Sequence, residues 1–353
     1  MAHTIMIMAG CTGGHVFPGL AVADFLREAG WRVVWLGSKS GMEAALVPKR
    51  GYDMAWVSFS GLRGKGLVAA LLLPLRLLLA FWQSARAIFA QRPDVVLGMG
   101  GYMSFPGGMM AVLLGRPLVI HEQNSIPGLA NRVLARVADR VLCAFPGALR
   151  HAVATGNPVR PEIATVAAPE QRYAGRAGPL QVLIVGGSLG AKALNDTVPL
   201  ALALLPAARR PQVTHQSGTQ HLQPLREAYA AAGIQARTLA FIEDMAAVYS
   251  SADLVVCRAG ASTLAEIAVA GVASILVPYP HAVDDHQTTN ARFLADAGAA
   301  ILLPQEELNP DRLAELFGEL DRQRLCDMAK RARSLGRSDA TEAVAMACVE
   351  LAR

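Results

Sequence analysis

The sequence predicts an α/β protein made of two doubly wound domains, each built on a parallel sheet covered by helices on both faces. Short apolar runs alternate with helix-length segments along the whole chain. A glycine-rich turn follows an apolar run twice, at Met8–Gly19 and far along the chain at Val185–Ala191. A proline- and glycine-containing break, Gly156–Ile163, separates the halves. Ligands are expected at the carboxyl ends of the strands, in a central cleft that the two sheets face.

Length and composition allow two domains, each with its own core. The chain has 353 residues, of which 53% are hydrophobic and 17% charged, and its formal net charge is +5. Its five cysteines are scattered and form no C-x-x-C pair, which predicts reduced thiols in the cytosol without a disulfide framework. The apolar run before Cys11 is short, and only His3 precedes it, so we expect a strand there and not a signal peptide.

The expected strands are the Val-, Ile- and Leu-rich runs that turn residues delimit. In the first half these runs are Thr4–Ala9, Arg32–Leu36, Met54–Phe59, Asp94–Gly98, Pro117–His121 and Arg140–Ala144. In the second half they are Gln181–Val185, Gln212–Gln216, Arg237–Phe241, Asp253–Cys257, Ala273–Pro278 and Ala300–Leu303.

The first glycine-rich turn is predicted to bind an anion. Thr12, Gly13 and Gly14 offer backbone N–H groups, and a helix that begins near His15 adds the positive end of its dipole. The pattern is not G-x-G-x-x-G, and no acid ends the second strand to bind a ribose, which disfavours NAD. A tight turn without a ligand is the alternative.

Two further glycine clusters follow strands and strengthen the expectation of a diphosphate ligand. In the turn at Val185–Ala191, Ser188 is expected to bond a phosphate oxygen or to cap the next helix. The cluster Gly98–Gly108 follows the fourth strand, and its alternative role is to let a helix pack closely.

Three segments carry polar side chains at the ends of buried strands. The four polar residues His121–Asn124 are expected to face the cleft and bind substrate, although Asn124 could be only a helix N-cap. In Cys257–Gly271, Glu266 is placed to chelate a ribose diol, and a capping box is the alternative. In Pro278–Ala291, the His and Asp spacing does not fit a metal site, so we expect Gln287 and Asn290 to point into the cleft.

The segment from residue 54 to residue 93 has no acid, and basic residues punctuate a strongly apolar stretch. The apolar part is too short for a transmembrane span. A buried core helix is the structural alternative. A basic, apolar helix in a membrane interface fits the pattern better. The proposed membrane patch consists of Arg63, Lys65, Leu75, Arg76, Leu79, Trp82 and Arg86.

Nine motifs span the chain in this order: AGCTGGHVFPG, SGLRGKG, VLGMGGY, HEQN, GNPVR, VGGSLGA, FIEDM, CRAGASTLAEI and DDHQTTNA. Together they resemble the motifs of the MurG family, the undecaprenyl-diphospho-muramoylpentapeptide β-N-acetylglucosaminyltransferases. The resemblance implies a GT-B fold. It implies an acceptor domain at 1–158 that a C-terminal helix at about 339–353 completes, and a UDP-N-acetylglucosamine domain at 159–338.

Site residues carried over from the family fall into three groups. The donor contacts would be Thr12, Gly13, Gly14, Asn124, Arg160, Ser188, Ile242, Ala261, Ser262, Thr263, Leu264, Ala265, Glu266 and Gln287. The acceptor contacts would be Gly100, Gly101 and Tyr102, and the catalytic candidates are His15 and Glu122. Glu266 would hold the ribose, the Ile242 backbone the uracil, Ser188 and the helix near Ala261 the diphosphate, and Asn124 and Gln287 the sugar.

The resemblance implies an inverting, metal-independent transfer of GlcNAc to the C4 hydroxyl of lipid I, without a cofactor. Its partners would be UDP-GlcNAc, lipid I, an anionic membrane surface and other cell-wall synthesis proteins, with no nucleic acid. The protein would lie peripherally on the cytoplasmic side of the inner membrane. The chain has Cys11 where the family usually has glycine, which weakens the expectation of a positive φ there. A same-fold UDP-GlcNAc 2-epimerase and an inactive membrane-docked scaffold are the alternatives.

Overall fold

The computed structural model describes residues 2–59, 71–187 and 189–352. It divides into two compact units, Met1–Arg160 with Ser338–Arg353 and Pro161–Arg337. Each unit is a parallel sheet with helices on both faces, which confirms the predicted fold class. Arg63, Lys65 and Ser188 lie outside the described residues.

The sheet of the first unit has seven strands, all parallel where they pair. They are β1 Thr4–Met8, β2 Arg32–Gly37, β3 Asp53–Trp56, β4 Val95–Gly98, β5 Leu118–Glu122, β6 Arg140–Cys143 and β7 Val153–Ala154. Their order is β3-β2-β1-β4-β5-β6-β7, so the winding direction changes between β1 and β4. The carboxyl ends of two such strands form the usual ligand site of a doubly wound sheet.

Strand β1 shows why this sheet is buried on both faces. Its side chains alternate, with Ile5 and Ile7 in one apolar cluster and Met6 and Met8 in another on the opposite face. All five of its residues are buried. The described helices of this unit are Gly13–Glu28, Glu43–Lys49, Leu73–Gln91, Ser104–Leu113, Leu129–Leu134 and Ala340–Val349.

The helix Ala340–Val349 follows the second unit in the chain but belongs to the first. It packs against the helix Gly13–Glu28 and against β4 and β5. Its residues Val344, Ala345 and Cys348 are completely buried in the same apolar cluster as Ile5 and Ile7.

The second unit has a six-stranded parallel sheet in the order β10-β9-β8-β11-β12-β13. The strands are β8 Gln181–Val185, β9 Gln212–Gln216, β10 Arg237–Leu239, β11 Leu254–Cys257, β12 Ala273–Leu276 and β13 Ala300–Leu302. The α-helices are Pro161–Ala164, Pro169–Tyr173, Lys192–Leu204, Leu222–Ala231, Met245–Ser251, Ala261–Ala270, His286–Ala295, Pro310–Glu319 and Arg322–Leu335. Three-residue 3₁₀ turns lie at Ala207–Arg209, Thr219–His221 and Val283–Asp285.

All twelve expected strands form, most of them one or two residues shorter than predicted. The sequence did not reveal β7, because a two-residue strand has no hydrophobic period to detect. None of the helices within the described ranges is both long enough and apolar enough to cross a membrane.

Candidate functional site

The first glycine-rich turn connects β1 to the helix that begins at Gly13. Cys11 has a positive φ of 78°. The cysteine side chain had weakened the expectation of a positive φ at this position, and the structure corrects that expectation. The backbone N–H of Cys11 donates to the carboxylate of Glu43 at 3.1 Å, and this bond explains the turn of the chain at that residue. Burial is the main cause that raises the pKa of the Cys11 thiol.

Glu43 is a residue of this site that the sequence reasoning missed. It starts the helix that follows β2, and it is completely buried. Its second oxygen accepts hydrogen bonds from the N–H and the hydroxyl of Ser38, each at 3.0 Å. The carboxylate therefore links the turns after β1 and β2. The only signal in the sequence is an acid among small polar residues soon after a strand.

The loop after β4 lies directly beside the turn after β1. The hydroxyl of Ser104 donates to the carbonyl oxygens of Met8 and Gly100, at 3.0 Å and 2.8 Å. Gly100 has φ 94°, and a Cβ there would come within 2.8 Å of the His15 ring. Of the predicted acceptor residues, Gly100 thus lies beside the predicted base His15, whereas Gly101 and Tyr102 lie beside Cys11.

His15 lies in the first turn of its helix and is half-buried. Its Nδ1 is 3.1 Å from the hydroxyl oxygen of Thr12, so one ring nitrogen is held by a neighbouring side chain. The Thr12 hydroxyl thereby fixes the orientation of the imidazole, and the role of His15 as a base stays a prediction.

The polar residues at the end of β5 are mostly buried, which corrects the expectation that all four face a ligand. His121 is completely buried, and Glu122 and Gln123 are 2% and 1% exposed. The Nε2 atom of His121 is 2.8 Å from the carbonyl oxygen of Gly156, and burial lowers the pKa of His121 to about 4. Only Asn124 is half-buried, at the start of the following loop.

Both carboxylate oxygens of Glu122 accept hydrogen bonds from the loop that follows it. The backbone N–H groups of Asn124 and Gly128 donate at 2.9 Å and 3.1 Å, and the Asn131 side chain donates at 2.9 Å. These hydrogen bonds stabilise the conformation of the loop and the position of the Asn124 backbone. The contacts favour a positioning role for Glu122 over direct proton transfer, and its catalytic role stays a prediction.

In the second unit, the turn after β8 packs tightly on the turn after β9. Gly190 has φ 81°, and a Cβ there would lie 1.7 Å from the carbonyl oxygen of Ser217, so only glycine fits. The Gln216 side chain donates to the carbonyl oxygen of Gly187 at 2.9 Å. These contacts fix the backbone on both sides of position 188.

The helix Ala261–Ala270 begins directly after β11, and Gly260 precedes it in an extended conformation. The start of a helix carries the positive end of the helix dipole, which favours an anion. Glu266 is half-buried, and one of its oxygens accepts a hydrogen bond from the Tyr249 hydroxyl at 3.2 Å. Ile242, the predicted uracil contact, is buried shortly before the helix that carries Tyr249.

Arg172 anchors the other end of this helix. Its guanidinium donates to the carbonyl oxygens of Ala270 and Gly271, where the helix ends, and to those of Tyr249 and Ala252. Arg172 is 7% exposed, and burial lowers its pKa. The helix that carries Glu266 is therefore held at a fixed position in its unit.

Gln287 and Asn290 lie in the first half of the helix His286–Ala295, but they differ in burial and in hydrogen-bond partners. The Gln287 side chain accepts a hydrogen bond from the backbone N–H of Tyr279 at 2.9 Å, and the residue is half-buried. Asn290 is completely buried and donates to the carbonyl oxygen of Ala259, which corrects the expectation that it faces a ligand. Within the described ranges, no group of three or more His, Cys, Asp and Glu could hold a metal ion.

The helix Leu73–Gln91 is largely exposed, which contradicts the core-helix alternative. Leu75 is 65% exposed, Leu79 44% and Trp82 59%, whereas the buried residues are Ala80, Ser84 and Ile88. The Arg86 guanidinium lies 5.8 Å from the centre of the Trp82 ring. Within the described part of the chain, no acid pairs with Arg76 or Arg86.

Comparisons with known proteins match the two units of the chain separately. The sequence models of the N-terminal and C-terminal domains of glycosyltransferase family 28 match residues 5–143 and 181–344. A UDP-N-acetylglucosamine–N-acetylmuramyl-(pentapeptide) pyrophosphoryl-undecaprenol N-acetylglucosamine transferase from Cupriavidus metallidurans is 63% identical over 351 residues, covering 99% of each chain. The chain belongs to the MurG family. A crystal structure of MurG from Acinetobacter baumannii superposes with a TM-score of 0.86 and 41% identity, covering 99% of this chain and 100% of that one.

The GT-B fold follows from these matches together with the two parallel sheets. A candidate UDP-N-acetylglucosamine 2-epimerase from Listeria monocytogenes has a TM-score of 0.65 at 13% identity, covering 99% of this chain and 96% of that one. At that identity the likeness shows the fold alone. Membership of the MurG family therefore rests on sequence identity over the full length, which the epimerase does not share.

The predicted site residues fall into two sets. Thr12–Gly14, Gly100–Tyr102 and Asn124 lie at the carboxyl ends of β1, β4 and β5 in the first unit, and Arg160 is its last residue before Pro161. Ile242, Ala261–Glu266 and Gln287 lie after β10, β11 and β12 in the second unit. The ligands assigned to these residues stay predictions.

Proposed function

We propose that this protein transfers N-acetylglucosamine from UDP-N-acetylglucosamine to lipid I, giving lipid II and UDP in peptidoglycan synthesis. The observation that carries this proposal is the 63% identity over 99% of both chains to a transferase of that name. In the reaction, the C4 hydroxyl of the muramoyl sugar attacks C1 of GlcNAc from the side opposite UDP. The configuration at C1 is therefore inverted.

The first unit supplies the acceptor site in this proposal. Gly100, Gly101 and Tyr102, with the turn at Thr12–Gly14, bind the diphosphate of lipid I in this scheme. What supports this assignment is that glycine-rich turns at strand ends offer N–H groups to anions. His15, held by Thr12, is the group that accepts the proton from the C4 hydroxyl.

The second unit supplies the donor site. Glu266 accepts hydrogen bonds from the ribose, the Ile242 backbone contacts the uracil, and Gln287 contacts the sugar. The N-terminus of the helix at Ala261 offsets the charge on the leaving UDP, since its dipole and first-turn N–H groups favour an anion. No divalent cation is required in this scheme.

The helix Leu73–Gln91 attaches the protein to the cytoplasmic surface of the inner membrane. Its exposed Leu75, Leu79 and Trp82 can enter the headgroup boundary, while Arg76 and Arg86 meet anionic lipid. Lipid I has a polyprenyl tail in the bilayer, so an enzyme that acts on its headgroup must work at that surface. Other cell-wall synthesis proteins are further expected partners.

The proposal is tested with labelled UDP-GlcNAc, with and without a short-chain lipid I analogue, in the presence of EDTA. We expect a labelled disaccharide product and UDP, both only when the acceptor is present. UDP release without acceptor, together with free N-acetylmannosamine, would indicate the epimerase instead. Activity lost in EDTA and restored by Mg²⁺ would refute the metal-free scheme while leaving the transfer itself in place.

A further inference from the structure

One glutamine side chain links two strand exits of the second sheet. Gln216 is the last residue of β9, and it pairs with Val185 at the end of β8 and with Leu239 at the end of β10. Strand β9 lies between those two strands. Parallel strands end at the same edge of a sheet, so Gln216 lies between the segments that leave β8 and β10.

The amide of Gln216 donates to a backbone carbonyl oxygen on each side. Its Nε2 atom lies 2.9 Å from the oxygen of Gly187 and 3.2 Å from the oxygen of Ala240. Both partners only accept hydrogen bonds, so the NH₂ group must lie between them and the orientation of the amide is determined. Gln216 is 3% exposed, and water therefore competes little for these two bonds.

Both segments belong to the proposed donor site. Gly187 directly precedes position 188, the predicted diphosphate contact, and Ala240 lies two residues before Ile242, the predicted uracil contact. The segment after Ala240 is short and ends at Asp244, which caps the next helix by accepting a hydrogen bond from the Ala247 N–H at 2.9 Å. Ile242 thus lies midway between two anchored residues.

Each segment also has a hydrogen bond that maintains its own conformation. The oxygen of Gly187 accepts from the Gly190 N–H at 2.9 Å, which closes the turn after β8. The oxygen of Ala240 accepts from the Gly218 N–H at 3.1 Å. Removing the Gln216 amide therefore leaves neither carbonyl oxygen without a donor. What is lost is the link that this amide makes between the two segments.

We propose that Gln216 is a positioning residue that sets the spacing between the diphosphate and uracil subsites of the donor. This inference rests on the proposed function. A single ribose joins the uracil and the diphosphate of UDP-GlcNAc, so the ligand occupies both subsites well only when their separation matches its own length. The second of two linked groups binds as though at a high local concentration, and this advantage is lost when the geometry does not match. Gln216 therefore affects a ligand that spans both subsites more than a ligand that occupies one.

The test compares the binding of UDP and of uridine to the wild type and to Gln216→Met. UDP spans both subsites, whereas uridine has no phosphate, and methionine has the length of glutamine but no donor. The dissociation constant of UDP, measured by calorimetry, should rise at least about tenfold. That of uridine, measured by ligand-observed NMR, should stay within about twofold of the wild type. The KM for UDP-GlcNAc should rise as the UDP constant does, with the KM for the lipid I analogue unchanged.

Gln181→Met is the matched control, because it is the same substitution at the opposite edge of the same sheet. Gln181 starts β8, and its Nε2 atom donates to the Gln212 side chain at 2.9 Å and to the carbonyl oxygen of Pro179 at 3.4 Å. It should leave both dissociation constants unchanged. An equal rise for UDP and uridine in Gln216→Met would overturn the inference, since Gln216 would then support the uracil segment or the fold alone. A UDP constant within twofold of the wild type would overturn it as well.

A second variant, Gln216→Asn, covers the case in which Gln216→Met does not fold. Asparagine keeps a buried amide but is one methylene shorter, so it should not reach both carbonyl oxygens, and UDP binding should again weaken more than uridine binding. Wild-type affinity for UDP in Gln216→Asn would contradict the proposal. A wild type that binds neither ligand would refute the proposed function and the inference together. A wild type that binds UDP without transferring GlcNAc would refute the proposed function, while the binding constants would still decide the role of Gln216.

Discussion

Glu43 shows how one buried carboxylate can shape a glycine-rich turn. It accepts hydrogen bonds from the Cys11 N–H and from both donors of Ser38, and it has no cation beside it in the described structure. The Cys11 N–H is thereby turned away from any anion in the turn. The Thr12 N–H donates to the carbonyl oxygen of Gly10 at 3.1 Å, so in the proposed function the acceptor diphosphate is expected at the N–H groups that follow Thr12.

Glu43→Gln tests this role at the first turn. The amide replaces one acceptor oxygen with a donor that faces an N–H group, so the turn that positions His15 should shift. We expect kcat/KM for the acceptor to fall by about tenfold, and the free energy of unfolding by about 1–3 kcal/mol. Glu28→Gln, an exposed acid in the same unit, is the control and should change neither. Kinetics of Glu43→Gln within twofold of wild type would argue against a positioning role.

Glu266→Ala tests the donor site at the same scale. A hydrogen bond to a charged group contributes about 1.5–3 kcal/mol, so kcat/KM for UDP-GlcNAc should fall at least about tenfold, mainly through KM. Tyr249→Phe removes only the hydroxyl that donates to Glu266 and should have a smaller effect. A KM in Glu266→Ala equal to that of the wild type would remove this carboxylate from the ribose site.

At the scale of elements, the sequence predicted the strands, which are local features, but not the side-chain contacts between residues far apart in the chain. The strands were predictable because apolar runs such as Val95–Gly98 and Leu254–Cys257 carry their own signal. The burial of His121 and Asn290 was not predictable from sequence. A polar residue at the end of a strand or helix can face the core or the solvent, and its hydrogen-bond partner decides which. Those partners, Gly156 and Ala259, are 35 and 31 residues away in the chain.

The prediction at the scale of elements is that the helix Leu73–Gln91 binds anionic membranes. Arg76→Glu with Arg86→Glu should weaken binding to phosphatidylglycerol vesicles by at least about 30-fold, since each base near such a surface contributes about 1 kcal/mol. Leu75→Ser with Leu79→Ser and Trp82→Ser should also release the protein, while activity on a short-chain acceptor survives. Co-sedimentation measures both effects.

The matched control for that helix is Leu200→Ser with Leu204→Ser. These leucines are 53% and 54% exposed on the helix Lys192–Leu204 of the second unit. They should leave vesicle binding unchanged. If the variants of Leu73–Gln91 unfold while the folded fraction still binds vesicles normally, the helix does not dock on the membrane.

At the scale of the whole molecule, each unit contains one buried neutral histidine, which makes stability depend on pH. Burial lowers the pKa of His121 to about 4 and that of His215 to about 3, and His215 is held by Tyr229 and Asn195. The unfolded chain protonates both near pH 6.5, whereas the folded chain does not. Stability should therefore be full above pH 6.5 and fall as the pH decreases toward these lower values.

Urea unfolding at pH 7.5 and pH 5.5 checks this expectation. Each histidine should cost about 1.4 kcal/mol at pH 5.5 relative to pH 7.5, and His215→Gln should abolish its own share of the loss. His151→Gln, at an exposed position, is the control and should leave the pH dependence unchanged. A His215→Gln protein with the wild-type pH dependence would show that His215 titrates alike in both states.

The return of the helix Ala340–Val349 to the first unit has a consequence for biosynthesis. The apolar groove that Val344, Ala345 and Cys348 fill, beside the helix Gly13–Glu28, is made of residues translated early. Until the ribosome has released the second unit and this helix, the groove remains open to water and to other nascent chains. The second unit, contiguous at Pro161–Arg337, can close its core before the first. The domain that is translated first is thus completed last.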